Sequence, residues 1–341
     1  MRRRWQNRIA ESSATLPTAC VAATLLWWLP QGGYSTEYLL GWVACALTTY
    51  IILEMAAQNA LLRVRSRMVS GLFLLVMAAC GFLHPLQNGT FLILCISASF
   101  FSLLRTCEAP RPELDTMHAY LALSLGSLLW APLLLLTPLL LWNQGVFLRS
   151  LSSRCLGAAI IGLLLPYAFW ATGAFALGQM TPFVEHAIAI ISPFTEPFYW
   201  QWVVEPVQNA DRNGFSEGVT RRLTDFAMSH RSEAVALVFV LLLGFTGFIH
   251  YLRKSYDDKI RVRMCHYCMM SLQVVVLLWL VVQPHHLREL FPLLLFSVIP
   301  AAAHYIALSR TWLSSVWIVL LLLMLVGVGV CTLVLFPQGL C

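Results

Sequence analysis

Charged residues are scarce in this chain. Asp, Glu, Lys and Arg make up only 11% of its 341 residues, whereas a typical soluble domain carries about a quarter. Hydrophobic residues reach 59%, and the mean hydropathy is +0.74. A soluble domain of this length has too little interior to hide that much apolar surface, whereas a lipid bilayer accommodates it without a core. We therefore predict an integral membrane protein that has the lipid bilayer as a partner.

Motifs typical of soluble enzymes are missing as well. The chain contains no P-loop, Rossmann fingerprint, H-E-x-x-H pair or nucleophile elbow, which argues against soluble-type nucleotide chemistry. Cys265-His-Tyr-Cys268 has the C-x-x-C spacing, but no second pair completes four metal ligands. Most of the ten cysteines lie inside apolar runs, where a thiol behaves as a small hydrophobic group. We predict no structural disulfides, no metal and no cofactor.

A single basic face is also lacking. The chain has 22 Lys and Arg residues and a net charge of +6, but these residues are scattered at the ends of apolar segments. A nucleic-acid binder would instead cluster them on one surface. We therefore predict no nucleic-acid partner and attribute the basic residues to membrane orientation.

Long apolar runs dominate what the sequence does contain. A spanning helix needs about 20 apolar residues. One apolar stretch, at 117–142, is interrupted by Trp130-Ala-Pro132. Because Pro restricts its own backbone and that of the residue before it, this stretch is either a tight hairpin of two short passes or one kinked helix. The other candidate spans fall at about 14–30, 37–58, 68–84, 90–106, 155–172, 232–251, 264–283, 289–308 and 312–335.

The distribution of Lys and Arg favours the hairpin. These residues concentrate in short cytoplasmic loops, and the hairpin places 17 of them inside and 5 outside, against 14 and 8 for one kinked helix. The sequence thus predicts an all-α polytopic transmembrane helical bundle of about eleven passes, with the N-terminus inside and the C-terminus outside. Whether the short arms at 117–142 cross the membrane or are re-entrant stays open.

One long polar segment, residues 173–231, falls on the outer face in this topology. Its first part, 183–204, is rich in aromatic residues, which suits the headgroup layer. In its second part, 214–230, Phe215, Val219, Leu223 and Phe226 follow the spacing of a surface amphipathic helix. We predict a single integral membrane domain, 1–341, that includes this interfacial segment.

Ionisable residues inside predicted spans are costly and are therefore candidates for function. Glu54 lies in the second span and is either a proton or cation site or a carboxylate close enough to Arg63 to be hydrated or paired. Five histidines, for which we expect contacts with water or a backbone carbonyl, fall near the ends of spans: His84, His118, His250, His266 and His304.

The outer segment carries the remaining candidates. A membrane glycosyltransferase that uses polyprenyl-phosphate sugars needs an outward-facing carboxylate as general base and cations that hold the lipid phosphate. The catalytic candidates are Glu185, His186, Glu196 and Glu37. The candidate lipid-phosphate ligands are Arg212, Arg221 and Arg222. The competing interpretation is a solvated loop whose arginines contact anionic headgroups.

Three stretches resemble a family of uncharacterised polytopic inner-membrane proteins of Bacteroidota, which implies a bacterial inner-membrane location and no particular activity. They are Arg63-Val-Arg-Ser-Arg67 followed by Leu83-His-Pro-Leu86, then Gly162-Leu-Leu-Leu-Pro-Tyr167, and Ser255-Tyr-Asp-Asp-Lys-Ile-Arg-Val-Arg263 with Gln283-Pro284.

More distantly, the many short helices, basic inner loops and outer amphipathic segment are similar to the scaffold of family C glycosyltransferases. Those enzymes carry catalytic acids on a long first outer loop, whereas here that loop is about residues 31–37 and Glu37 is its only acid.

These observations give three hypotheses of function. The first is a role in envelope biogenesis, binding or handling a polyprenyl-phosphate-linked glycan at the outer face. The second is a non-catalytic subunit that packs against other membrane protein subunits through small-residue faces such as Ala19, Ala22 and Ala23. The third, a small-solute transporter, is disfavoured because few polar residues lie inside the spans.

Overall fold

The structure, a computed structural model, describes residues 5–28, 35–63, 66–191, 230–309 and 311–335. The regular elements in these ranges are all helical. The α-helices are α1 (Trp5–Glu11), α2 (Thr15–Trp28), α3 (Thr36–Gln58), α4 (Met68–Ala79), α5 (Asn88–Arg105), α6 (Glu113–Leu129), α7 (Thr137–Trp142), α8 (Ser153–Ala176), α9 (Thr181–Ala189), α10 (Arg231–Lys254), α11 (Ile260–Val282), α12 (Leu287–Leu308) and α13 (Trp312–Val330).

Seven helical segments of the described chain are long and apolar enough to cross a membrane. They are Thr36–Gln58, Asn88–Arg105, Ser153–Ala176, Arg231–Asp257, Ile260–Val282, Pro284–Leu308 and Trp312–Val334. Shorter apolar stretches occur at Thr15–Trp28, Met68–Ala79 and Ala131–Phe147. The helical membrane architecture is therefore as predicted, while the count of eleven passes and the orientation stay predictions.

Contacts between loops define two ends of the bundle. At one end, Arg63 after α3 contacts Asp258 after α10. At the other, Trp130 after α6 stacks on Trp279 of α11 and meets the ring of His286 just before α12. We call these the Arg63 end and the Trp130 end. The predicted inside loops correspond to the Arg63 end and the predicted outside loops to the Trp130 end.

The chain turns back on itself within the stretch 117–142, while the crossing of the membrane by its two arms stays a prediction. Helix α6 ends at Leu129, and the backbone of Trp130 is extended before a 3-10 turn at Ala131–Leu136. Helix α7 and a π-helical turn at Asn143–Phe147 then return alongside α6. The return is fixed by Gln144, whose Nε2 donates to Thr116 Oγ1 at 2.7 Å.

The centre of the bundle is α12, which is buried on every side. It packs against α10, α11, α5 and α4. Two glycines allow close approaches to α12: a Cβ on Gly89 of α5 would lie 2.5 Å from the Arg288 carbonyl oxygen, and one on Gly247 of α10 would lie 2.7 Å from the backbone nitrogen of Ala302.

Helix α8 lies at the edge and packs mainly on α6. Ser152 begins it by accepting a hydrogen bond from the Cys155 backbone nitrogen at 3.2 Å. Its buried residues repeat every three or four positions and are small at the closest contact, where a Cβ on Gly162 would lie 2.5 Å from Met117 O. One face of α8 is therefore packed, and the rest of its surface is exposed.

Candidate functional site

An apolar groove of about 750 Å³ runs between α6 and α8. Its lining residues are Leu121, Leu125, Leu128, Leu165, Pro166, Phe169 and Trp170. The three leucines are spaced four and three residues apart and so share one face of α6. The groove lies on the exposed side of the bundle, where a lipid chain has access to it.

A polar cluster lies at the Trp130 end of this α6–α8 groove. Tyr167 OH is 2.8 Å from Ser127 Oγ and 3.4 Å from His186 Nε2. The His186 ring also meets the edge of Trp170, with ring centroids 4.9 Å apart. We call Ser127, Tyr167 and His186 the His186 cluster. Because Trp170 lines the groove and touches His186, the cluster and the groove form one continuous site.

Local sequence explains how α8 presents this site. Pro166 lies inside the helix and lacks a backbone N–H, so the Gly162 carbonyl loses its usual helical partner. Nearby, Ser124 Oγ donates to the Leu163 carbonyl at 2.7 Å, which ties α6 to this turn of α8. Tyr167 follows directly and reaches across to Ser127. The stretch 162–167, part of the resemblance, thus builds one side of the site.

The structure brings one of the catalytic candidates into this site. His186 is half-buried, and burial lowers its pKa, opposed in part by a hydrogen bond to Ser127. At neutral pH the ring is therefore neutral and one nitrogen is able to accept a proton.

The other candidates lie elsewhere or outside the described residues. Glu185 is next to His186 on α9, but its side chain is exposed. Glu37 is also exposed, and in the described chain no hydrogen bond or ion pair joins it to α9. Glu196, Arg212, Arg221, Arg222 and the amphipathic pattern at 214–230 fall outside the described residues.

Glu54 forms a hydrogen bond within its own helix, which leaves its two interpretations open. Its Oε1 accepts a hydrogen bond from Gln58 Nε2 at 2.7 Å. It also lines a crevice of about 730 Å³ that contains Glu11, Arg63 and Arg67. The carboxylate is therefore a hydrogen-bonded group beside basic side chains at the Arg63 end.

Sequence reasoning missed the most buried ionic cluster at that end. The side chain of Asp258 is 1% exposed and contacts Arg63 Nε, while its Oδ2 lies 3.2 Å from His304 Nε2. Burial alone lowers the pKa of Arg63, but the hydrogen bond and charge of Asp258, with Asp257 beside it, outweigh that effect and raise it. The available signal was a pair of acids, Asp257 and Asp258, in a loop otherwise rich in Lys and Arg.

A second buried carboxylate, Glu233, lies at the Trp130 end. Its side chain is 1% exposed, with Oε1 2.7 Å from Arg288 Nε and Oε2 3.0 Å from His230 Nδ1. Sequence reasoning did not single out Glu233, and its arginine partner, Arg288, is 55 residues away.

The span-end histidines only partly behave as expected. His84 and His266 contact the backbone carbonyls of Ala78 and Leu61, at 3.0 and 2.9 Å. His304 instead contacts the carboxylate of Asp258. Among the residues that the structure describes, no three His, Cys, Asp or Glu side chains are arranged to hold a metal ion.

Comparison with known proteins does not assign this chain to a family. No protein-family model, no curated protein and no solved structure matches the chain.

Proposed function

We propose that this protein resides in the bacterial inner membrane and serves envelope biogenesis by binding a polyprenyl-phosphate-linked glycan at its outer face. The observation that carries the proposal is the α6–α8 groove with the His186 cluster at its Trp130 end. An isoprenoid chain is apolar and matches the leucine-lined groove, whereas a phosphate and its sugars require the polar end. The bilayer supplies such a lipid directly from the side on which the groove is open.

The polar end has the residue types that such a headgroup needs. His186 is neutral and touches the groove through Trp170, and Glu185 is beside it in an exposed position. The cations that would bind the phosphate are Arg212, Arg221 and Arg222, which follow α9 in the chain. In this proposal the lipid chain occupies the groove and the outer segment binds the headgroup.

Blocking the groove tests the proposal. Leu125→Trp places an indole in the groove, and we expect at least a tenfold loss of affinity for a long-chain polyprenyl phosphate, measured by native mass spectrometry of delipidated protein. Leu164→Trp is the matched control, because Leu164 is 60% exposed on the same helix pair but does not line the groove. Equal affinity for both variants and the unmodified protein would reject the groove as the binding site.

The proposed orientation is tested with two cysteines near opposite ends of one helix. Arg154 lies at the start of α8 and Glu185 on α9 just after its end, so the α8 axis of roughly 36 Å separates the two ends. With an impermeant thiol reagent on intact cells, Glu185→Cys should react above the unmodified background and Arg154→Cys should not. The opposite pattern would place the His186 cluster in the cytoplasm and contradict an outer-face function.

A second candidate, a non-catalytic subunit of a membrane complex, is favoured by a different observation. The small-residue face that motivated it is used inside the chain, since Ala19 and Ala23 are buried and Ala19 packs on Gly71 of α4. Helix α8 offers two separate exposed small positions instead, because Gly157 near its start and Gly173 near its end have nothing within 4 Å of an added Cβ. Gentle extraction should then recover a stoichiometric second polypeptide, which Gly157→Leu with Gly173→Leu should release.

A further inference from the structure

A second pocket, of about 1100 Å³, lies at the Arg63 end, away from the α6–α8 groove. It is formed by the C-terminal ends of α10 and α12, the start of α13 and the loop that carries Arg63. The length of α12, about 30 Å, separates this end of the bundle from the Trp130 end. We call it the α10–α13 pocket.

The α10–α13 pocket is rich in positive charge. Arg63, Arg253 and Lys254 line it, against one exposed carboxylate, Asp257. Arg63 is already engaged by Asp257 and by the buried Asp258. Arg253 and Lys254 are exposed and form no ion pair within the described chain. Two cationic side chains therefore remain available to a ligand.

Two ring nitrogens in the pocket also lack partners. Trp317 Nε1 and His250 Nε2 are buried atoms, and neither has a hydrogen-bond partner among the described residues. An indole N–H acts only as a donor, so an acceptor must approach Trp317 to satisfy it. Leaving a buried donor unpaired costs on the order of 1–3 kcal/mol. The Trp317 N–H therefore indicates a ligand that brings an acceptor oxygen into the pocket, and His250 Nε2 is a second polar atom open to it.

The start of α13 also favours a ligand with acceptor oxygens. Thr311 begins the helix, and its hydroxyl accepts from Ser314 N at 3.2 Å. The N–H groups of the first helical turn otherwise lack intrahelical acceptors, and the helix dipole is positive at this end. The two cations, the unpartnered Trp317 N–H and the helix N-terminus together favour an anion such as phosphate.

The remaining wall of the pocket is apolar and faces outward. Leu313 and Val316 line it and are 73% and 49% exposed, on the part of α13 that the other helices leave uncovered. A soluble phosphate needs no such wall, whereas a lipid brings its chains to it. We propose that the α10–α13 pocket binds the phosphate headgroup of an anionic membrane lipid in the leaflet at the Arg63 end.

The test titrates delipidated protein in neutral detergent with phosphatidylglycerol, phosphatidylcholine or inorganic phosphate and follows bound lipid by native mass spectrometry. We expect phosphatidylglycerol to bind at least tenfold more tightly than phosphatidylcholine, and inorganic phosphate not to displace it at millimolar concentration. Displacement by inorganic phosphate would mean a free-anion site and would overturn the lipid assignment.

Variants separate a built site from general attraction of lipid to basic loops. Arg253→Ala with Lys254→Ala should weaken phosphatidylglycerol binding at least tenfold, since hydrogen bonds to charged groups are involved. Arg111→Ala with Arg154→Ala is the matched control, because both residues are exposed cations outside the pocket. An equal loss in the control would indicate diffuse attraction and reject the site.

Variants of the two unpartnered ring nitrogens give the sharpest discrimination. Trp317→Phe and His250→Phe keep an aromatic ring but remove the orphaned groups, and each should weaken phosphatidylglycerol binding about three- to tenfold. No change in either variant would contradict the proposal. The groove variant Leu125→Trp should leave this binding intact, so the two lipid proposals fail or succeed independently.

Discussion

Helices α8 and α12 have nearly equal mean hydropathy but occupy opposite positions in the bundle. In the most apolar stretch of α12, 100% of the residues are buried inside the protein, whereas in that of α8 only 22% are buried. Lipid tails are as apolar as leucine, so hydropathy reports that a helix has left water but not whether its neighbours are lipid or protein. The packed side of a membrane helix is therefore decided by shape rather than by apolarity.

Replacing one phenylalanine in each helix by alanine should give the largest difference in the free energy of unfolding. Phe296 of α12 is 1% exposed and meets Phe100 edge to face at 5.9 Å. We expect Phe296→Ala to lower the free energy of unfolding by about 3 kcal/mol, because a large cavity forms among helices. The measurement is thermal or denaturant unfolding in detergent micelles. Phe175→Ala on α8, where the ring is 78% exposed, should change stability by less than about 0.5 kcal/mol.

Replacing a glycine by alanine should change the free energy of unfolding differently at the two helices. Gly247→Ala places a methyl group 2.7 Å from Ala302 N and 2.9 Å from Ala301 C, so the backbone of α12 must move. We expect the free energy of unfolding to fall by about 2 kcal/mol. Gly173→Ala on α8 meets nothing within 4 Å and should be neutral or stabilising by up to about 1 kcal/mol, through helix propensity. Parallel losses in the two variants would mean that α8 is covered by a partner.

Asp258, which contacts α12 through His304, tests the polar contribution to the buried helix. Asp258→Asn removes the charge that holds Arg63 while keeping the side chain's shape. We expect the free energy of unfolding to fall by about 2 kcal/mol. The loss is no larger because Arg63 is 36% exposed and partly solvated. Asp257→Asn, at an exposed pair, should cost less than about 0.5 kcal/mol by the same unfolding measurement.

His186, which contacts α8 through Tyr167, should give the smallest effect, visible only as a pH dependence. Burial lowers its pKa in the folded protein below the usual 6.5. The folded state thus favours the neutral ring, and this stability is present above pH 6.5 and is lost as the pH falls below it. The difference in unfolding free energy between the unmodified protein and His186→Asn should shrink from pH 7 to pH 5, by well under about 1 kcal/mol. A difference that grows on acidification would contradict this.

Much of the helical layout was predictable because its signals are local. Most apolar runs coincide with helices, and Trp130-Ala-Pro132 marks the point where α6 ends and a 3-10 turn begins. The site was less predictable. His186 was chosen as part of an acidic and aromatic segment, but its contacts with Tyr167 and Trp170 depend on how the chain returns after α8.

The buried ionic clusters show why the rest was missed. Asp258 pairs with Arg63 across 195 residues, and Glu233 with Arg288 across 55. Both acids lie beside span ends, where a carboxylate is ordinarily solvated, and nothing adjacent in sequence identifies the distant arginine with which each one pairs. The small residues Ala19 and Ala23 were similarly ambiguous, because a small-residue face suits contact with α4 as well as with another protein.

The sequence by itself determined that this chain is a helical membrane protein, where most of its helices lie, and that residues 117–142 contain a break, because apolarity and proline act on the nearest turns of the chain. The tertiary structure alone decided which helix is central, which acids are buried with which cations, and where the α6–α8 groove and the α10–α13 pocket form. These features arise where surfaces of distant helices fit, and in lipid such fit depends on side-chain shape and hydrogen-bond pairing rather than on hydrophobicity.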